Sequence, residues 1–192
     1  TYAKWNCNQI LMIGDAIDNH YSSFHQTDAD GYGGGQELDR AIKRLSRYRD
    51  AFAEICDKKI DICIGNHDRI IMRRAFDSDI PARWIKSYNE VLGTNWNWVD
   101  RIVYDGVQYE HGEGGQAKSK AVKNFQSSVC GHTHTEAYVI WNIGTKHKTF
   151  GMQVGCGLGE SYAFAYAKNF KKQAIGCGVV LGGHTAINVL MP

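Results

Sequence analysis

At 192 residues the chain suits one domain with a sizeable core, since a domain of this size buries roughly 70% of its unfolded surface. Hydrophobic residues make up 43% and charged residues 22%, the balance of an ordinary globular protein. A formal charge of +2 is too small to call for a nucleic-acid or membrane partner, no apolar run is long enough to span a bilayer, and no signal peptide is visible.

Residues 8 to 14 read as a short buried strand, Ile10-Leu11-Met12-Ile13 running into Gly14-Asp15. Residues 15 to 35 lack usable periodicity and close on Asp30-Gly31-Tyr32-Gly33-Gly34-Gly35. A loop of that length in a compact domain is functional or mobile. Ser22, His25 and Tyr32 either touch a substrate from it or lie in solvent. The glycines form no phosphate-binding fingerprint, because no strand leads directly into them. From Gln36 to about Asp57, apolar residues at 38, 42, 45, 52 and 56 repeat at helical spacing. Arg40, Lys43, Arg44, Arg47 and Arg49 fall largely on the other side, which reads as a solvated face.

Residues 60 to 64 predict a second strand, ending in Gly65-Asn66-His67-Asp68. Helices are expected over 66–76 and 81–92, the latter with Pro81 at its N-terminal end. Residues 97–104 and 107–111 read as a hairpin turning at Asp105-Gly106. A short helix over 116–125 and a strand over 127–131 follow. Beyond them 137–143, 149–154 and 178–181 suggest mainly antiparallel strands, and Trp96, Trp98 and Trp141 are assigned to the core. The six cysteines form no C-x-x-C pair, and Cys63 and Cys130 lie inside apolar runs. They read as reduced small hydrophobes, which points to the cytoplasm. Strands alternating with helices first and β-rich later predict one α/β domain over 1–192, a two-sheet sandwich with ligands at the carboxyl ends of its strands.

Four strand ends deliver metal-ligand chemistry in turn: Gly14-Asp15, Gly65-Asn66-His67-Asp68, His111-Gly112 and Gly131-His132-Thr133-His134. The two oxygens of Asp15 allow one aspartate to bridge two cations. Asn66 offers a neutral oxygen that leaves a cation's Lewis acidity intact. His111, His132 and His134 offer imidazoles, and in an extended loop His132 and His134 point the same way, toward neighbouring ions. Mixed carboxylate, amide and imidazole donors suit Mn, Fe or Zn better than Ca or a closed thiolate zinc site. Two such ions about 3.5–4 Å apart activate water and clamp the oxygens of an in-line phosphoryl displacement.

This ordered set resembles the calcineurin-like metallophosphoesterase superfamily, whose pattern runs D-x-H, G-D-x-x-D, G-N-H-[DE], a lone H often followed by Gly, and G-H-x-H. Gly14-Asp15-Ala16-Ile17-Asp18 and the other three motifs match the last four in order, over roughly residues 8 to 160. The Asp18-Asn19-His20 continuation is similar to small bacterial or bacteriophage members. The resemblance implies an αββα sandwich and hydrolysis of phosphate mono- or diesters, with nucleotides, other small phosphoesters or nucleic acid as substrates and no membrane partner. It implies that Asp15 bridges two divalent ions, that Asn66, His111 and His132 complete one site, and that His134 serves the other. It further implies that His67, hydrogen-bonded to Asp18, stabilises the transition state or protonates the leaving oxygen. Arg69, where a helix is expected to begin, either helps hold phosphate or is a surface arginine, and Glu113 is a candidate to support His111.

The D-x-H motif has no counterpart, since residues 1 to 13 contain neither Asp nor His. The pattern therefore leads us to expect a strand and helix ahead of Thr1, with Thr1 to Trp5 as the tail of that helix. It also leaves one metal site with only Asp15 and His134, to which His20 is a candidate addition. Two alternatives follow: a single-metal or phosphate-binding module without catalysis, and a nuclease for DNA ends using Lys118, Lys120 and Lys123.

Overall fold

The computed structural model describes residues 1–25, 30–157 and 173–191. The fold is mixed α/β, and its residues cluster into two units, Asn8–Val99 and Thr1–Cys7 with Asp100–Pro192. Among the described residues no helix is long and apolar enough to cross a membrane.

In the first unit β1 (Leu11–Met12) precedes a single 3-10 turn at His20–Ser22 and the long helix α1 (Gly34–Ala53). Next come β2 (Asp61–Cys63), α2 (Ile70–Asp77), a 3-10 turn at Ala82–Trp84, α3 (Tyr88–Leu92) and β3 (Asn97–Val99). The strands pair in parallel in the order β1-β2-β3, with Met12 opposite Ile62 and Ile62 opposite Trp98. All of β2 is buried, as a central parallel strand must be. The amphipathic pattern of α1 explains its docking: Leu38, Ala41, Ile42, Leu45 and Phe52 pack with Ile17, Ile60, Ile62, Leu92 and Trp96. Arg40, Lys43, Arg44 and Arg47 are exposed, as a solvated face requires.

Three expectations for this unit change. The helix expected over 66–76 starts only at Ile70, because Asp68 and the backbone around it are occupied at the strand end. The helix expected over 81–92 is broken. Ser87 and Glu90 form a capping box that starts α3 afresh at Tyr88. Residues 97–104 are not one arm of a hairpin: Asn97–Val99 joins β2, and only the residues after Asp100 turn back on themselves.

The second unit contains β4 (Arg101–Tyr104), β5 (Val107–Glu110), α4 (Ala117–Lys123), β6 (Ser128–Cys130), β7 (Ala137–Ile143), β8 (Lys148–Val154), β9 (Gly176–Leu181) and β10 (Thr185–Leu190). The β4–β5 turn places Asp105 and Gly106 at φ 48° and 76°, the pair of left-handed residues that a two-residue hairpin favours. The main sheet runs β4-β5-β6-β8-β7, parallel from β5 through β8 and antiparallel at both edges. α4 lies close against β8 because Gly151 has no side chain; a Cβ there would strike the backbone of Ala117 and Lys118. β9 and β10 form an antiparallel hairpin. The half-buried run of β10 has no clear period, so the sequence reading passed over it. The six cysteines are free thiols, and Trp96 is buried while Trp141 packs edge-on against Phe150. Thr1–Cys7 forms a turn in which Trp5 N–H reaches Thr1 O at 3.1 Å.

Candidate functional site

Because β1 and β2 are parallel neighbours, the chain leaves both at the same edge of the sheet. Gly14-Asp15 and Gly65-Asn66 emerge there side by side, and their fit is tight. A Cβ on Gly65 would overlap the carboxylate and main-chain nitrogen of Asp15, so only glycine is accommodated. Asp15 itself is held at φ 52°, a left-handed conformation that few non-glycine residues adopt.

Asp68 fixes this arrangement. Its carboxylate is 1% exposed and accepts three main-chain N–H groups: Gly65 at 2.8 Å, Asp15 at 2.9 Å and Ile17 at 3.2 Å. Burial pushes its pKa up to about 6 against the pull of these donors, so the group is ionised at neutral pH. One carboxylate thus satisfies the turns after both strands.

His67 is placed by its own contacts. Its N–H donates to Asp15 Oδ1 at 2.9 Å, and its carbonyl accepts from Asn19 Nδ2 at 3.0 Å. The ring Nδ1 lies 2.9 Å from Asp18 Oδ1 and 2.8 Å from the Asp18 carbonyl. The hydrogen bond to the Asp18 side chain dominates over desolvation, and with the nearby Asp15 charge it raises the imidazole pKa to about 9. Asn66 is half-buried beside it. Arg69 occupies the position before the first residue of α2.

The second unit presents its own pair of strand ends. Glu110 lies opposite Cys130, so His111 and Gly131 leave β5 and β6 together, with Gly131 N–H donating to His111 O at 2.9 Å. His111 is buried and His132 exposed. Their rings meet edge to face at 78°, with His111 Nε2 3.1 Å from His132 Nδ1. One nitrogen donates to the other in the tautomer that places a proton between them, and in the tautomer that places both protons on the outer nitrogens the two lone pairs are open to a cation. Gln153, 1% exposed, donates to the Gly131 carbonyl and accepts the Ala117 N–H at 3.4 Å. Gln116 spans both oxygens of Glu136 at 3.0 and 2.9 Å, tying the two histidine loops together.

The loop holding His132 and His134 is not extended. His132 has φ 68° and Thr133 N–H returns to Gly131 O at 2.8 Å, a three-residue turn centred on His132. The i, i+2 argument for a common direction therefore fails here. The His134 carbonyl accepts the Ala174 N–H at 2.8 Å. Glu113 is exposed, and its carbonyl receives Lys120 Nζ at 3.1 Å. His20 gives its main-chain N–H to Glu37 at 2.7 Å.

Set against protein-family models, curated proteins and solved structures, the chain matches none.

What the residues can do follows from their own geometry. One unit offers a carboxylate, an amide and a carboxylate-paired imidazole; the other offers a preformed imidazole pair. Oxygen donors mixed with imidazole are a donor set that divalent cations accept. Burial pushes the Cys130 thiol up to about 12, which keeps it protonated beside the imidazole loops. Sequence reasoning missed two positioning residues, Asp68 and Gln153. The signal for Asp68 was its place at the end of the Gly65-Asn66-His67-Asp68 motif, which marked the position without giving its anchoring role. Gln153 gave none.

Proposed function

We propose that the chain is a metal-dependent phosphoesterase hydrolysing phosphate mono- or diesters at a dinuclear centre, in a single αββα-type domain and a cytoplasmic setting. In this reading Asp15, Asn66, His111 and His132 hold one divalent cation, and Asp15 and His134 hold the second. When bound, such ions neutralise phosphoryl oxygens and make water nucleophilic at neutral pH.

The observation that carries the proposal is the stitching of Asp15, His67 and Asp18 into one preorganised group around buried Asp68. A merely structural loop does not need a left-handed aspartate, a carboxylate-paired histidine and a buried three-donor anchor together. Asp18 engages Nδ1 of His67 and favours the imidazolium. Nε2 then carries a proton that can pass to the leaving oxygen as the ester bond to phosphorus breaks. Arg69, at the start of α2, supplies a fork of N–H donors to the phosphoryl group.

The test is turnover of an aryl phosphodiester and an aryl phosphomonoester with Mn²⁺, Fe²⁺, Zn²⁺ or Ni²⁺. Hydrolysis with at least one metal, abolished in Asp15→Asn while the far-UV spectrum stays unchanged, is the expected result. Absence of turnover with all four metals overturns the proposal. A second reading, a single-metal or phosphate-binding module, is favoured by the tight turn at His132, which removes the extended-loop reason for His132 and His134 to serve neighbouring ions.

A further inference from the structure

We infer that the first unit carries a surface for single-stranded nucleic acid, built from exposed aromatic rings flanked by arginines directly beyond the His67–Asp18 pair. Three large rings stand in solvent on this stretch: Tyr21 is 59% exposed, Phe24 44% and Tyr32 56%. Other large apolar side chains of the chain are as exposed, Trp84 and Phe125 among them, so what marks these three is the company of arginines.

Tyr21 and Phe24 belong to the 3-10 turn and the residues just after it, and Tyr32 lies two residues ahead of α1. The 3-10 turn His20–Ser22 packs against both α1 and α2. Glu37 on α1 holds it by accepting the N–H groups of His20 and Tyr21 at 2.7 and 3.0 Å. Tyr21 lies on Gly34, whose bare Cα leaves room for the ring. From the other side Arg74 on α2 donates to the carbonyls of Ser22 and Ser23. The turn follows Asn19 directly, and Asn19 grips the carbonyl of His67. The aromatic stretch therefore begins where the Asp15–Asp18 loop ends.

Phe24 and Tyr32 each have a guanidinium over the ring. The Arg40 guanidinium is 4.2 Å from the centroid of Tyr32, and those of Arg73 and Arg74 are 4.6 and 4.1 Å from Phe24. Stacking holds the planar fork and the ring as one unit; Arg74 is already engaged by the Ser22 and Ser23 carbonyls, so Arg40 and Arg73 are the forks that would meet phosphate oxygens. The surrounding charge has the matching sign. α1 and α2 together carry seven basic and four acidic residues, and of the acids Glu37 is engaged by the turn and Asp50 by Arg49. Exposed rings with guanidiniums beside them suit a ligand that offers both bases and phosphates. A duplex hides its base faces, and an acidic peptide has none to stack. The occupant this surface fits is therefore an unpaired strand.

The inference deepens the phosphoesterase reading by naming a polynucleotide phosphodiester as substrate. It rests on that reading for chemistry but not for binding. The test is accordingly made without metal: fluorescence anisotropy of a labelled 20-mer of oligothymidylate with the full chain in EDTA. A matched duplex and inorganic polyphosphate serve as competitors. The single strand is expected to bind, with affinity falling as salt rises, and to be displaced less readily by either competitor than by unlabelled strand. Tyr32→Ala and Phe24→Ala should each weaken it by about 5- to 100-fold. Arg40→Ala should lower the log–log salt slope by about 0.7 for each phosphate that Arg40 neutralises. Tyr32 and Arg40 are solvent-exposed, so a folding defect in Phe24→Ala leaves the other two variants to decide. Absence of binding at low salt, equal displacement by duplex or polyphosphate, or unchanged affinity in Tyr32→Ala overturns the inference. A chain that binds the strand yet hydrolyses no ester with any metal would retain this surface and lose the phosphoesterase reading.

Discussion

The main-chain N–H of His67 donates to a carboxylate oxygen of Asp15 at 2.9 Å. Through this bond the residue after one strand orients the residue after its neighbour, although 52 positions separate them. The bond uses one carboxylate oxygen of Asp15 and the main chain of His67, so it organises the loop without engaging the imidazole.

Asp68 is expected to be the costliest single position to change in this loop. Asp68→Ala removes the acceptor of three N–H groups in a site that water does not replace. Each orphaned buried donor costs about 1–3 kcal/mol, and partial relaxation brings the expected loss to about 3–5 kcal/mol. Asp68→Asn keeps the shape and should lose less. Urea unfolding of both variants measures the difference; equal midpoints to the native chain would remove Asp68 from its anchoring role.

Gly65→Ala tests packing against the ligand itself. The added methyl meets the Asp15 carboxylate and backbone, so Asp15 must move. Binding of Mn²⁺ should weaken by about 10- to 100-fold, the usual result of misorienting a ligand. Titration calorimetry with Mn²⁺ would show it, and an unchanged affinity would mean that Asp15 is not a ligand.

The raised pKa of His67 makes a signed prediction for the metal-free chain. Its folded-state value of about 9 stands above the ordinary 6.5. The stabilisation from the His67–Asp18 pair is therefore fully present below pH 6.5 and is lost as pH rises through 9. With a quarter of each side chain exposed, solvent screening reduces the effect to about 1–2 kcal/mol. Denaturant midpoints measured in EDTA between about pH 6 and 10 should fall in the native chain and fall less in Asp18→Asn. Parallel curves would exclude the pair as the cause.

Metal content separates the two functional readings. The phosphoesterase reading expects about two divalent ions per chain by elemental analysis, and the single-metal module one. Saturation at about 100 times the dissociation constant should stabilise the fold by about 2.7 kcal/mol, lost on chelation. His132→Ala should lower both the stoichiometry and this gain.

Gln153→Leu keeps the volume of a buried side chain and deletes its bond to the Gly131 carbonyl. The turn at His132 then loses its tether. A stability loss of about 2 kcal/mol, together with weaker metal binding than in the native chain, is expected from thermal scans with and without Mn²⁺.

Periodicity and chemistry along the chain were sufficient for part of this protein. The apolar pattern of α1, the buried run of β2 and the Asp105-Gly106 turn are local signals, governed by 3.6- and 2-residue repeats and by left-handed φ, and they appear where the sequence places them. The candidate residues were legible because carboxylate, amide and imidazole groups directly after apolar strands are poor core and poor surface alike. The tertiary structure alone decided how those residues are held. Val99 and Arg101 join different sheets across Asp100, His132 sits in a tight turn rather than an extended loop, Asp68 anchors both strand-end turns though its motif gives no such role, and Gln153 anchors a loop from a position that no local pattern marks. Hydrogen bonds between residues about 20 to 50 positions apart depend on where the strands come together, and spacing along the chain carries no record of that.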